Sequence, residues 1–171
     1  MTAIEERAAV TPGKSTRDRT QRSVGDATRD LTLPHLPYAD AVVAELDAVC
    51  MPPVAVEAGL RDARPGAPVL FMRFVWPAGT ALLDDGVREK GLTLAWSQVT
   101  GWTAHNAEDK AELLDVDTLA DPRLIALAAL DLAEQDLSLR WSPPDGADGR
   151  WTEAVYLDIA LVNFDDRGVT R

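Results

Sequence analysis

The sequence predicts an α+β domain, a mainly antiparallel sheet with two principal helices. Residues 38–50 and 121–135 hold helical apolar spacing with clear stop or start signals, and short alternating runs lie between and after them. The resulting order of helix, strands, helix, strands lacks the regular alternation of a doubly wound parallel sheet. The 171 residues, 46% of them hydrophobic, suit one domain with one core, and no internal repeat is present. The expected division is a flexible, weakly basic tail over residues 1–30, a single folded unit over 31–167 and a C-terminal end at 168–171.

The tail is rich in Thr, Arg, Asp, Ser and Gly and too poor in large apolar side chains to offset its ordering entropy. Within it, Ala8, Gly13, Lys14 and Ser15 of "AAVTPGKST" match the relaxed spacing of a phosphate-binding loop. That loop needs a buried strand before it and an apolar-faced helix after it. Here Met1 to Arg7 form no such strand, and Val24 is the only large aliphatic residue in the stretch that follows. The flanks therefore argue against nucleotide binding at Gly13, Lys14 and Ser15.

The first helix is read from "LPYADAVVAELDAVCMPP", where Tyr38, Val42, Val43, Leu46 and Val49 or Cys50 share one face and Pro52 and Pro53 stop it. Cys50 at its end is expected to be a small buried hydrophobe. A short strand follows at "VAVEAGL". "PVLFMRFVW" reads as a central strand covered on both faces, Leu70, Met72, Phe74 and Trp76 on one and Val69, Phe71, Arg73 and Val75 on the other, with Arg73 paired or at a margin. "GLTLAWSQVTGWTAHN" reads as a hairpin turning near Gln98 to Gly101, which sets Trp96 across from Trp102, and "AELLDV" adds a short strand.

"DPRLIALAALDLAEQ" carries the clearest start signal: Asp121 to cap the free amides, Pro122 at the first helical position, then an almost wholly apolar helix. After it, "LSLRWS" and "WTEAVYLDIALVNF" are expected to be two strands joined by the turn formers of "PPDGADGR". Val155, Leu157, Ile159 and Leu161 would share one face of the last, central strand.

Charge is uneven. Residues 1–30 hold six basic and five acidic residues, +1, so a chain of net −11 leaves −12 on the rest. Such a body repels nucleic acid and anionic membrane, which excludes both as partners of the folded part. The single cysteine forms no internal disulfide, no segment near the start resembles a signal peptide, and no apolar run is long enough for a membrane span. The expected location is the cytoplasm.

Few residues suggest chemistry. Cys50, His35 and His105 lack the paired spacing of a zinc site or a nucleophilic motif. Asp84 with Asp85 and Asp145 with Asp148 lie beside turn glycines, where Asp is expected for backbone reasons. Asp115 and Asp117 would project from one face of a strand, and with His105 they form the candidate polar site. No metal or cofactor is expected. Trp96, Trp102, Trp141 and Trp151, near predicted strand ends, are the candidate binding surface, and the competing reading is that they close the core.

Leu94, Trp96, Gly101 and Trp102 of the hairpin, with "PYADAVVAEL" as the helix upstream, carry a resemblance over residues 37–106. This stretch resembles a small α+β domain of high-GC bacteria in which a Leu-Trp strand turns through polar residues into Gly-Trp; Ser97 stands where that pattern has an acidic residue. The resemblance implies a fold class and no activity.

Three functions follow as expectations. The preferred one is a non-catalytic interaction module whose acidic body or Trp-lined margin binds another protein. The alternative is a small enzyme or small-ligand-binding domain using Asp115, Asp117 and His105. A third is an acidic nucleic-acid mimic with carboxylates in a phosphate-like row. The first is preferred because the chain is poor in reactive side chains, with two His, one Cys and no positioned Ser, His and Asp set.

Overall fold

A computed structural model describes residues 33–61, 68–108, 110–135, 137, 140–147 and 149–169. The phosphate-loop match at Gly13, Lys14 and Ser15 lies outside the described residues, as do residues 1–30 as a whole. Helix α1 (Leu36–Ala48) precedes strands β1 (Ala55–Arg61) and β2 (Val69–Trp76), a single turn α2 (Asp85–Arg88), and strands β3 (Leu92–Ser97), β4 (Gly101–His105) and β5 (Ala111–Leu113). Helices α3 (Pro122–Glu134) and α4 (Ala154–Val169) complete the order. The five strands form one sheet in the order of the chain, every neighbouring pair antiparallel. The α+β class with an antiparallel sheet is thus the class the sequence predicts, with three long helices among the described residues where two principal ones are expected.

Both predicted helices form, and their ends follow from local chemistry. Asp121 caps α3 by accepting the Arg123 amide at 2.9 Å, with Pro122 in the first turn. At the other end of α1, the Cys50 amide donates to the Asp47 carbonyl and the Met51 amide to the Leu46 carbonyl. This is a Schellman cap, and it needs a left-handed residue after the helix. Cys50 takes that conformation, with φ of 59°. The cap turns the Cys50 side chain outward, and Met51 fills the buried slot beside Leu46. Cys50 is therefore exposed, not the buried hydrophobe expected from its place in the apolar pattern.

Register divides the sheet into two unlike faces. Leu70, Met72, Phe74 and Trp76 of β2, Leu92, Leu94 and Trp96 of β3, and Trp102 and Ala104 of β4 point to one side and are buried with residues of α1 and α3. Each fully buried large side chain stabilises the fold by roughly 1.5–3 kcal/mol, so this face supplies the main driving force. The other side of β2 carries half-buried Phe71 and Val75 around an exposed Arg73 paired with Glu57 at 3.4 Å. No described helix covers it. β2 is central in the sheet but covered on one face, and the expected second cover is absent among the described residues.

The final third departs from expectation. Residues 140–144 are irregular, and the run read as a long strand is the helix α4. Nearly every residue from Ala154 to Phe164 is apolar, so an alternating test and a helical test both pass. The helical reading groups Ala154 and Leu157, both buried, with Leu161 and Phe164, which pack against the core. A run of that length exceeds an ordinary strand, and the sheet ends instead at the three-residue β5.

Candidate functional site

Trp76, Trp96, Trp102 and Trp141 are core residues held by hydrogen bonds. Trp96 lies opposite Trp102 in the hairpin register, and each is 1% exposed. A buried indole N–H needs an acceptor. Trp96 Nε1 donates to the Thr118 carbonyl at 2.7 Å, Trp76 Nε1 to the Pro52 carbonyl at 3.1 Å and Trp141 Nε1 to Asp131 Oδ2 at 2.8 Å. Trp102 Nε1 donates to the Tyr38 hydroxyl at 3.1 Å, which donates onward to the Ala120 carbonyl at 2.7 Å. Burial raises the Tyr38 pKa above its usual value, partly offset by the Trp102 bond and reinforced by the charges of Asp117 and Asp121. Trp151, half-buried, sits 4.9 Å from the Tyr38 ring. Trp96, Trp102 and Trp141 therefore present no ring face to solvent. These side chains tie α1 and the 114–121 loop to the hairpin.

The polar candidates are split between two ends of β4. His105 closes β4 on the open face of the sheet, its Nε2 2.8 Å from Thr103 Oγ1. Burial lowers its pKa below 6.5, and the charge of Arg73 lowers it further. Asp115 and Asp117 lie beyond the end of β5 in a loop, where Leu114 bonds to the Trp102 carbonyl near the start of β4. They do not project from a strand face. Asp115 pairs with Arg140 at 3.7 Å. Asp117 accepts the Leu119 amide at 2.7 Å and pairs with Arg150 at 3.1 Å, and Arg150 also binds Asp158 of α4 at 2.8 Å. Asp117 fixes the loop to α4 through Arg150 while Asp115 is held by Arg140, and the structure does not bring either carboxylate to His105. Among the described residues, no group of His, Cys, Asp and Glu is arranged to hold a metal ion.

Two surfaces were not anticipated. The open face of the sheet forms a concavity of about 780 Å³, in which Phe71, Val75 and Ala95 are rimmed by Arg61, Arg73 and Lys90. The second is the outer side of α4. Val155, Tyr156, Ile159 and Val162 are 59%, 73%, 60% and 60% exposed. At about 100° per residue, Val155, Ile159 and Val162 align on one stripe with Tyr156 beside it, opposite the core stripe of Ala154, Leu157, Leu161 and Phe164. The signal was present as the 155, 159, 162 spacing, but the strand reading placed Val155 and Val162 on opposite faces. Among the described residues, no helix is long and apolar enough to cross a membrane. No protein-family model, curated protein or solved structure matches the chain.

Proposed function

We propose that the chain is a non-catalytic protein-interaction module that docks a partner on the outer stripe of α4. One observation carries this reading: α4 is apolar on both sides, yet only one side is used by the core. A helix apolar all round belongs between two layers, and no second layer is present among the described residues. The charged residues of α4 are Asp158, Asp165, Asp166 and Arg167, acidic on balance, on a body of −12. The partner that fits is an apolar helix or loop with a basic rim, steered by charge and held by contact with Tyr156 and Ile159. The single, exposed Cys50 is in keeping with a cytoplasmic setting. The test compares proteins retained by the full chain with those retained by a Tyr156→Asp, Ile159→Asp variant. Both positions are exposed, so the variant keeps its melting temperature. A partner held by the parent in stoichiometric amount and lost by the variant supports the reading, whereas the same retained set with both refutes it.

A second reading has one observation in its favour: on an acidic body, Arg61, Arg73 and Lys90 line the open sheet face, Arg73 paired with Glu57 and Lys90 with Glu108. A small anionic ligand would suit that concavity, and Arg73→Ala would weaken its binding without changing the partners held by α4.

A further inference from the structure

The two edges of the sheet are protected unequally. β5 is three residues long, which leaves little free backbone to pair. β1 runs for seven residues in unbroken register with β2, from Ala55 opposite Val75 to Arg61 opposite Val69, and has no strand on its other side among the described residues. It contains no Pro, no Lys and no bulge, three of the devices that blunt an edge, and its two charges, Glu57 and Arg61, lie on the face away from Val56, Ala58 and Leu60. Its helix-side face carries Val56, Ala58 and Leu60, in register with the buried Phe74, Met72 and Leu70. Yet Val56 and Leu60 are 45% and 42% exposed, because the helix layer does not extend over β1, whose main contact among the described elements is β2. An apolar strip thus continues past the helices to a free edge.

We infer that two copies of the chain join through this edge, β1 pairing antiparallel with its equivalent about a two-fold axis at Ala58. The sequence of β1 is complementary to itself in that register. Ala58 faces the partner's Ala58, and Val56 faces the partner's Leu60, so both exposed aliphatics gain an apolar neighbour. On the other face Arg61 lies diagonal to the partner's Glu57, within reach of a long side chain. Neighbouring registers are poorer. A shift of the axis to Glu57 sets that carboxylate against the partner's Glu57, and a shift to Gly59 leaves Val56 with no strand residue opposite. The product is a continuous sheet of twice the strands, with both free β1 edges removed.

This pairing is independent of α4 and is tested on the full chain by sedimentation and by cysteine cross-linking. The chain is expected to be a dimer at about 100 μM, and Val56→Lys with Leu60→Lys to raise the dissociation constant at least roughly tenfold. Those positions are exposed, so circular dichroism should show the fold unchanged. In a Cys50→Gly background, Ala58→Cys oxidises to a covalent dimer, whereas Val56→Cys and Leu60→Cys cross-link only when mixed. A monomer at that concentration, or a dimer indifferent to the lysine pair, overturns the inference. So does a Val56→Cys chain that cross-links to itself, and so does a dimer abolished by Ile159→Asp alone.

Discussion

His35 is the place where acid should weaken the fold by a route that can be isolated. Its ring is fully buried before α1 and stacked on Trp96 at a centroid distance of 5.7 Å. Nε2 lies 2.9 Å from the Phe71 carbonyl, which can only accept, so Nε2 carries the hydrogen. Nδ1 is then an acceptor buried with no partner, and a proton placed there would have nothing to bond to. Burial holds the pKa down from 6.5 to about 4, and the Phe71 hydrogen bond offsets only part of this. Between those two values the unfolded chain binds a proton that the folded chain refuses. The stability linked to His35 is therefore complete above about pH 6.5 and is lost as pH falls toward about 4. At about 1.4 kcal/mol per pH unit, the loss is roughly 2 kcal/mol from about pH 7 to pH 5 and roughly 3 kcal/mol by about pH 4. Carboxylates titrate in the same range, so the assay compares urea unfolding of the parent with His35→Phe at each pH. That replacement removes the ring nitrogens and keeps a flat ring against Trp96. The difference between the two proteins should change by about 2 kcal/mol over the upper part of the range. Parallel profiles for both proteins would refute the reasoning.

Three further substitutions test the local arguments. Tyr38→Phe leaves the Trp102 N–H unpaired in the core and frees the Ala120 carbonyl, so urea unfolding should show a loss of about 1–3 kcal/mol, far more than one exposed hydroxyl would cause. Cys50→Gly relieves a left-handed residue at the α1 cap and should raise the melting temperature, for a gain of a few tenths to about 1 kcal/mol after the added freedom of the unfolded chain is counted. Asp121→Ala removes the α3 cap and should cost about 1 kcal/mol in the same assay, while Asp121→Asn should retain most of it.

The elements legible in the sequence were those with a punctuation signal as well as a period. Pro52 and Pro53 bounded α1, Asp121 and Pro122 opened α3, and Gly101 marked the return of the hairpin that pairs Trp96 with Trp102. α4 had only Thr152 and Glu153 ahead of it, without a proline or glycine to mark its start, and its excess of apolar residues satisfied the strand period as well as the helical one. The proposed docking role rests on that same excess, which leaves two apolar sides where a surface helix needs one. The separation of the polar candidates has a different cause. Asp115 and Asp117 are close in sequence to β5, but whether they meet His105 depends on which end of β4 the chain reaches, a tertiary fact without a local signature. Their partners Arg140 and Arg150 lie more than twenty residues away. Cys50 was misplaced because a helical period says nothing of the cap, and a Schellman turn reverses the direction of the residue after the helix.

Hydrogen exchange on the full chain, alone and with the partner that it retains, locates the docking surface. With a partner docked on α4, exchange slows across residues 154–162 while β2 to β4 stay unchanged. Protection confined to the open sheet face or to the loop around Trp151, with α4 exchanging as in the free chain, would contradict docking on α4.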